Sequence, residues 1–167
     1  MRATHRPSIL AFLITTAATR GHAQQATSGG PPAVRAGFAL IDSSGTRIGQ
    51  VSASQEPDGV VMVVVASRLS PGRHGLYLHT EPICDPPGFT TAGSQRSPSL
   101  LSLEINARGD GHAQFTIPEV TLTPGAHSIG VPGTSLMLHA TEGDDRAEPS
   151  DGPGSRVACA VISVATP

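Results

Sequence analysis

Two cysteines, Cys84 and Cys159, are the residues of this chain whose chemistry is simplest to anticipate. In a compartment that permits oxidation, one disulfide between them is the simplest interpretation of a chain with two thiols. The alternative is that both thiolates are ligands of a metal ion. That interpretation is poor, because such a site needs further ligands and no other Cys or closely spaced His supports it.

The start of the chain predicts export into such a compartment. Residues 1–23 resemble a secretory signal peptide, with Arg2 and Arg6 in the basic start, an apolar run at 9–18 and small residues up to a cleavage point after Ala23. A buried N-terminal helix is the alternative, and it fits the basic start and small-residue exit poorly. The apolar run is shorter than the roughly 20 residues that span a bilayer, and no later run is longer. We therefore expect a secreted or periplasmic protein without a membrane span.

The residues after the predicted signal peptide must form the structure that positions any functional side chain. Their apolar runs and turn residues follow the pattern of short strands. Residues 24–33 are rich in Gly, Pro and small polar residues and predict a flexible leader. Beyond it, runs such as the β-branched segment 60–66 disfavour helix, and turn residues separate one run from the next. Eight strands are predicted, at 36–41, 48–53, 60–66, 76–80, 100–105, 111–117, 135–140 and 157–164. This pattern predicts a single all-β domain at 34–167, an antiparallel sandwich or barrel.

The composition narrows the range of partners. Thirteen acidic and eleven basic residues give a net charge of −2, and the sequence has neither a basic stripe nor an aromatic platform. Nucleic acid is therefore excluded as an expected partner. The chain has only four Phe, one Tyr and no Trp, so Val, Leu, Ile and Ala must fill the interior of a narrow, flattened barrel. The sequence indicates no oligomeric state.

Several short motifs, in order along the chain, resemble those of the copper/zinc superoxide dismutases. They are Gly-x-x-Ile-Gly-x-Val at 45–51, Leu-Ser-Pro-Gly-x-His-Gly-Leu at 69–76, a Cys, Pro-Pro and Ala-Gly set at 84–93, Leu-His-Ala with Asp-Asp at 138–145, and Gly-Pro-Gly-Ser-Arg-Val-Ala-Cys-Ala-Val-Ile at 152–162. The resemblance covers nearly the whole mature chain. It implies an eight-stranded antiparallel Greek-key β-barrel, and it also implies a disulfide that joins Cys84 to Cys159.

The resemblance further implies a copper site that has lost half of its ligands. The family holds copper with four histidines, and one of them bridges to zinc. His79 and His139 match two of the four, Tyr77 replaces the third, and Gln95 stands where the bridging histidine belongs. Because residues i and i+2 of a strand share a face, Tyr77 and His79 project to the same place. We expect copper, if it binds, to be held by His79, His139 and Tyr77, since Gln95 offers only a weak carbonyl ligand.

Zinc is not expected at this site. The family takes its zinc ligands from two further histidines and an aspartate in a long loop after the bridging position. Here residues 96–99 contain neither His nor Asp and lead almost directly into a strand, so the loop is deleted. Zinc prefers four N, S or O ligands in a tetrahedron, and this segment supplies none.

Arg156 matches the arginine that attracts and orients superoxide in the family; the alternative is a structural arginine that bonds loop carbonyls. His74 is expected to be structural, since the matching family residue binds no metal.

Copper ion and superoxide are the partners that the resemblance implies. The sequence predicts a superoxide dismutase-family protein that does not dismutate and keeps at most a vestigial copper site. The alternatives are a copper-only dismutase with a rearranged site, a copper buffer or carrier, and a protein-interaction domain that keeps the barrel, with its histidines as plain hydrogen-bonding groups.

Overall fold

The computed structural model describes residues 34–97, 100–141 and 155–165. The predicted signal peptide (1–23) and leader (24–33) lie outside these residues and stay predictions. No helix among the described residues has the length and apolar character needed to cross a membrane. The strands are β1 Arg35–Asp42, β2 Arg47–Glu56, β3 Gly59–Ala66, β4 Gly72–His79, β5 Leu101–Ile105, β6 Gly111–Pro118, β7 Thr134–His139 and β8 Arg156–Ile162, and a short 3₁₀ turn spans Thr90–Ala92.

The eight strands close into an antiparallel barrel in the order β1-β2-β3-β6-β5-β4-β7-β8. Strands β4, β5 and β6 are successive neighbours, and β3 lies beside β6, so the connection from β3 to β4 has the Greek-key form. The predicted all-β Greek-key barrel is therefore confirmed. The main difference lies in β4, which begins at Gly72 rather than at residue 76. Gly72 pairs with Ile105 of β5, and this pairing extends the strand through residues that look like a turn in the sequence.

The interior of the barrel is filled by aliphatic side chains, as the composition predicts. On β3, Val60, Met62 and Val64 are fully buried while Val65 is exposed, which is the alternation of a strand with one face on a core. The buried core cluster consists of Leu, Ile, Val, Ala and Met residues, with Phe38 and Phe115 partly buried against it. The inward-facing side chains thus form the core, and their neighbours along each strand lie on the outer face of the barrel.

One part of the outer face is itself buried beneath residues 80–93, the segment that follows β4, which we call the covering segment. All six residues of β7 are buried, so this strand has a covered outer face as well as a core face. A second apolar cluster of Phe89, Ala92, Met137 and Cys159 lies there. Cys84 and Cys159 form a disulfide with 5.7 Å between their Cα atoms, which confirms the predicted pairing and ties the covering segment to β8.

Candidate metal centre

Strands β4 and β7 supply the side chains of the candidate site, and their register places these side chains on one face. Tyr77 lies opposite Met137 and His79 lies opposite Ser135. His139 is two residues beyond Met137 and therefore shares the same face. Leu136 and Leu138 alternate with these residues and belong to the barrel core. The site thus lies on the outer wall, in the compartment that the disulfide-linked segment covers.

His79 is held in a form that can bind a metal. It is 1% exposed, and its Nδ1 lies 3.0 Å from the carbonyl oxygen of Gly93. Since a carbonyl only accepts, Nδ1 is the donor, and in the neutral ring the lone pair is then on Nε2. Burial lowers the pKa of His79 below 6.5, and the positive charge of Arg156 lowers it as well, although the Gly93 bond acts in the opposite direction. The neutral imidazole with its lone pair on Nε2 is therefore favoured.

The second histidine converges on the first. Nε2 of His139 lies 3.5 Å from Nε2 of His79, within hydrogen-bonding distance, and the planes of the two rings differ by 21°. His74 holds the backbone of His139 in place: Nδ1 of its buried ring lies 2.9 Å from the carbonyl oxygen of His139, and its Nε2 lies 2.8 Å from that of Ser70. Both ring nitrogens of His74 are thus engaged with backbone, in agreement with the structural role expected from the sequence.

Tyr77 lies beside His139, with its ring turned back along β4. The rings of Tyr77 and His139 meet edge to face, with centroids 4.9 Å apart. A Cβ on Gly75 would lie 2.6 Å from a ring carbon of Tyr77 and 2.9 Å from its hydroxyl oxygen, so the phenol covers Gly75. The missing side chain at Gly75 is what allows Tyr77 to take this position.

Arg156 joins β8 to the covering segment. Its Nη1 donates to the carbonyl oxygen of Phe89 at 2.6 Å, and its Nη2 donates to that of Gly93 at 3.0 Å. The guanidinium therefore bonds loop carbonyls, which is the contact that the structural alternative requires, and it also lies close enough to His79 to lower that residue's pKa. Its action on superoxide stays a prediction.

The residues that follow the site, 95–97 and 100, run along β4, where the family's zinc loop is expected to be missing. Gln95 forms a β-bridge with His79, but its side chain is exposed and donates to the carbonyl oxygen of Ser97 at 2.7 Å. The amides of Arg96 and Leu100 donate to β4 carbonyls, so the chain runs along β4 on both sides of residues 98–99. Within the described ranges, no group of three or more His, Cys, Asp or Glu side chains is placed to hold a metal.

The donor set fits the two implied metals differently. Zinc needs about four N, S or O ligands, and the described residues bring together only two imidazoles, so zinc does not fit. Two neutral imidazoles do suit copper(I), which tolerates few ligands. Residues His79, His139 and Tyr77 are thus brought together as the sequence predicts, while Gln95 is not turned toward them.

The sequence of this chain is similar to a known protein family and to several of its members. Residues 47–162 match the family described as copper/zinc superoxide dismutase (SODC). The chain belongs to this family. It is 31% identical over 146 residues to a Cu-Zn superoxide dismutase of Brucella abortus, covering 74% of this chain and 83% of the relative. A Cu-Zn superoxide dismutase of Salmonella typhimurium is 31% identical over 158 residues, with 77% of this chain and 85% of the relative covered.

Solved structures show the same fold. A double mutant of a SOD-like protein from Bacillus subtilis superposes with a TM-score of 0.70 at 22% identity, covering 77% of this chain and 97% of that chain. Cu/Zn superoxide dismutase from Brucella abortus superposes with a TM-score of 0.62 at 25% identity, covering 77% of this chain and 99% of that chain. This chain therefore shares its barrel fold both with a SOD-like protein and with a Cu/Zn superoxide dismutase.

Two features of this superoxide dismutase-family site were missed from the sequence. Met137 and Ser135 share the face of His139, and the i, i+2, i+4 alternation along β7 is the signal that could have found them. No sequence pattern indicates the Gly93 carbonyl, which orients His79, because its position depends on the path of the irregular covering segment.

Proposed function

We propose that this protein is an exported member of the superoxide dismutase family that binds at most one copper(I) ion, weakly, and does not dismutate superoxide. The observation that carries the proposal is the 3.5 Å approach of the Nε2 atoms of His79 and His139, in a site where the described residues provide no third His, Cys, Asp or Glu. Two converging imidazoles are enough for copper(I) and too few to hold copper(II) well.

The same donor set argues against redox cycling. Dismutation requires a metal that is stable in both oxidation states, and copper(II) prefers a roughly square set of nitrogen donors. Copper supplies the electron transfer in this family when it is bound; this chain's residues would bind and orient the ion and cover it.

The proposal is tested by loading the mature protein with copper(I) and with copper(II), measuring retained metal, and assaying superoxide turnover on the same samples. We expect up to one copper(I), loss of binding in His79→Ala and in His139→Ala, and no turnover. The matched control is His112→Ala, which changes an exposed histidine on β6. Unchanged copper uptake in both site variants would show that the site is elsewhere or does not exist.

A copper-only dismutase is the second candidate, and the position of Arg156 favours it. The guanidinium lies beside His79, where a cation would attract a small anion such as superoxide to the histidines. Superoxide turnover by the copper-loaded protein that falls in Arg156→Gln and is weakened by added salt would establish this candidate. Turnover without that dependence would leave the arginine a structural role.

A further inference from the structure

His79 and His139 reach each other across the Tyr77–Met137 pair, of which Met137 is not in the ligand set that the resemblance implies. His79 lies opposite Ser135, Tyr77 lies opposite Met137, and His139 is two residues further along β7. At about 3.3 Å per residue, the backbones of His79 and His139 are separated by about 13 Å along the strands. Their Nε2 atoms are nevertheless 3.5 Å apart, so both rings lean over the Tyr77–Met137 pair. That pair forms the floor under the point where the nitrogens converge.

The distance between the nitrogens leaves a place for a third donor. Metal–nitrogen bonds to imidazole are about 2.0 Å long, so a linear N–metal–N arrangement needs about 4 Å between the nitrogens. The observed 3.5 Å is shorter, so an ion shared by His79 and His139 lies off the line that joins them. One side of that ion is then open to a further ligand, and the strand register places the Tyr77–Met137 pair between the two histidines.

Of the two floor residues, Met137 is the better placed. The phenol of Tyr77 is turned back over Gly75, toward the far end of β4 from His79. Met137 is fully buried and packs with Phe89, Ala92 and Cys159 beneath the covering segment. Its thioether is a soft, flexible donor, and soft sulfur ligands favour copper(I).

We propose that the thioether sulfur of Met137 is the third ligand of a His79–His139–Met137 copper(I) site. The inference rests on the copper binding proposed above and extends it by naming the donor and the oxidation state that it selects. A thioether stabilises copper(I) relative to copper(II), so this site retains reduced copper and resists the oxidation that dismutation requires.

X-ray absorption at the copper edge tests the ligand directly. We expect the copper(I)-loaded wild-type protein to show two nitrogen neighbours and one sulfur neighbour. Growth in selenomethionine changes that neighbour to selenium, which distinguishes Met137 from the disulfide sulfurs. The mature chain has one other methionine, Met62, which is fully buried in the barrel core on another strand. Met62→Leu is therefore the matched control for Met137→Leu, and both changes nearly conserve volume.

Affinity provides the second measurement, by competition with a chromophoric copper(I) chelator. We expect Met137→Leu to lose the selenium neighbour and to weaken copper(I) binding about tenfold or more, while Met62→Leu keeps both. Copper(I) bound with nitrogen neighbours alone in the selenomethionine protein would overturn the role of Met137 and leave the proposed function standing. A wild-type protein that retains no copper(I) would overturn the role of Met137 together with the copper binding on which it rests, and would leave only the absence of dismutation from the proposed function.

Discussion

His79 and Arg156 donate hydrogen bonds to the same acceptor, the carbonyl oxygen of Gly93, and each bond is 3.0 Å long. One carbonyl thereby fixes the tautomer of a candidate ligand on β4 and anchors a cation on β8. Gly93 has φ 77°, in the left-handed region that favours glycine, so the backbone turn that presents this oxygen depends on the residue type. The covering segment is therefore a part of the site as well as its roof.

Removing the arginine charge should raise the pKa of His79. The positive charge of Arg156 is one of the causes that lower this pKa, and Arg156→Gln removes the charge while leaving an amide that can donate to the carbonyls. The measurement is an NMR titration of the His79 ring in the metal-free protein. Arg108→Gln, at an exposed arginine paired with Asp110, is the control and should leave the titration unchanged. An unshifted His79 in Arg156→Gln would show that the two groups are not electrostatically coupled.

The disulfide should account for a substantial part of the stability. It joins residues separated by 75 positions, and the chain-entropy relation gives about 4.5 kcal/mol for such a loop as an upper estimate. We expect Cys84→Ser to lower Tm by roughly 10 °C, measured by scanning calorimetry. Cys159→Ser should cost somewhat more, because Cys159 is fully buried and the new hydroxyl must be desolvated. A shift of a degree or less in either variant would mean that the bridge contributes almost nothing.

Gly75→Ala should displace the Tyr77 ring. The new Cβ would lie 2.6 Å from a ring carbon, which is too close for two non-bonded carbons. Overpacking of this kind costs about 1–3 kcal/mol, and the cost should disappear when Tyr77→Ala removes the ring. A double-mutant cycle of unfolding free energies measures this coupling. Additive effects of the two substitutions would show that the phenol does not lie over Gly75 in solution.

The barrel and part of the candidate site could be predicted from the sequence, and the physical reason is different for the barrel and for the site. Local propensity and turn residues identify all eight strands, and the strand period of two places Tyr77 and His79 on one face. The approach of His79 to His139 joins residues 60 positions apart and depends on how β4 and β7 register in the closed barrel. The Gly93 and Phe89 carbonyls that hold Arg156 lie in an irregular segment, where no periodicity indicates which way a backbone oxygen points.

The lowered pKa of His79 should make the metal-free protein less stable as the pH falls. The unfolded chain takes up a proton on this residue around pH 6.5, whereas burial delays that uptake in the folded state. Between the two pKa values the unfolded state binds more protons, so the free energy of unfolding rises with pH in that window. The contribution of His79 is fully present above pH 6.5 and is lost as the pH falls toward the folded-state pKa.

Chemical denaturation at about pH 7.5 and about pH 5.5 measures the effect, and His79→Gln isolates it. Glutamine does not titrate, and its amide can still donate to the Gly93 carbonyl that accepts from His79. Other titrating groups are common to both proteins, so the difference between the two pH profiles belongs to His79. We expect the wild-type protein to lose more stability than His79→Gln over this interval. Parallel profiles would show that burial does not penalise the charged ring, and the favoured neutral form of His79 would then lose its physical basis.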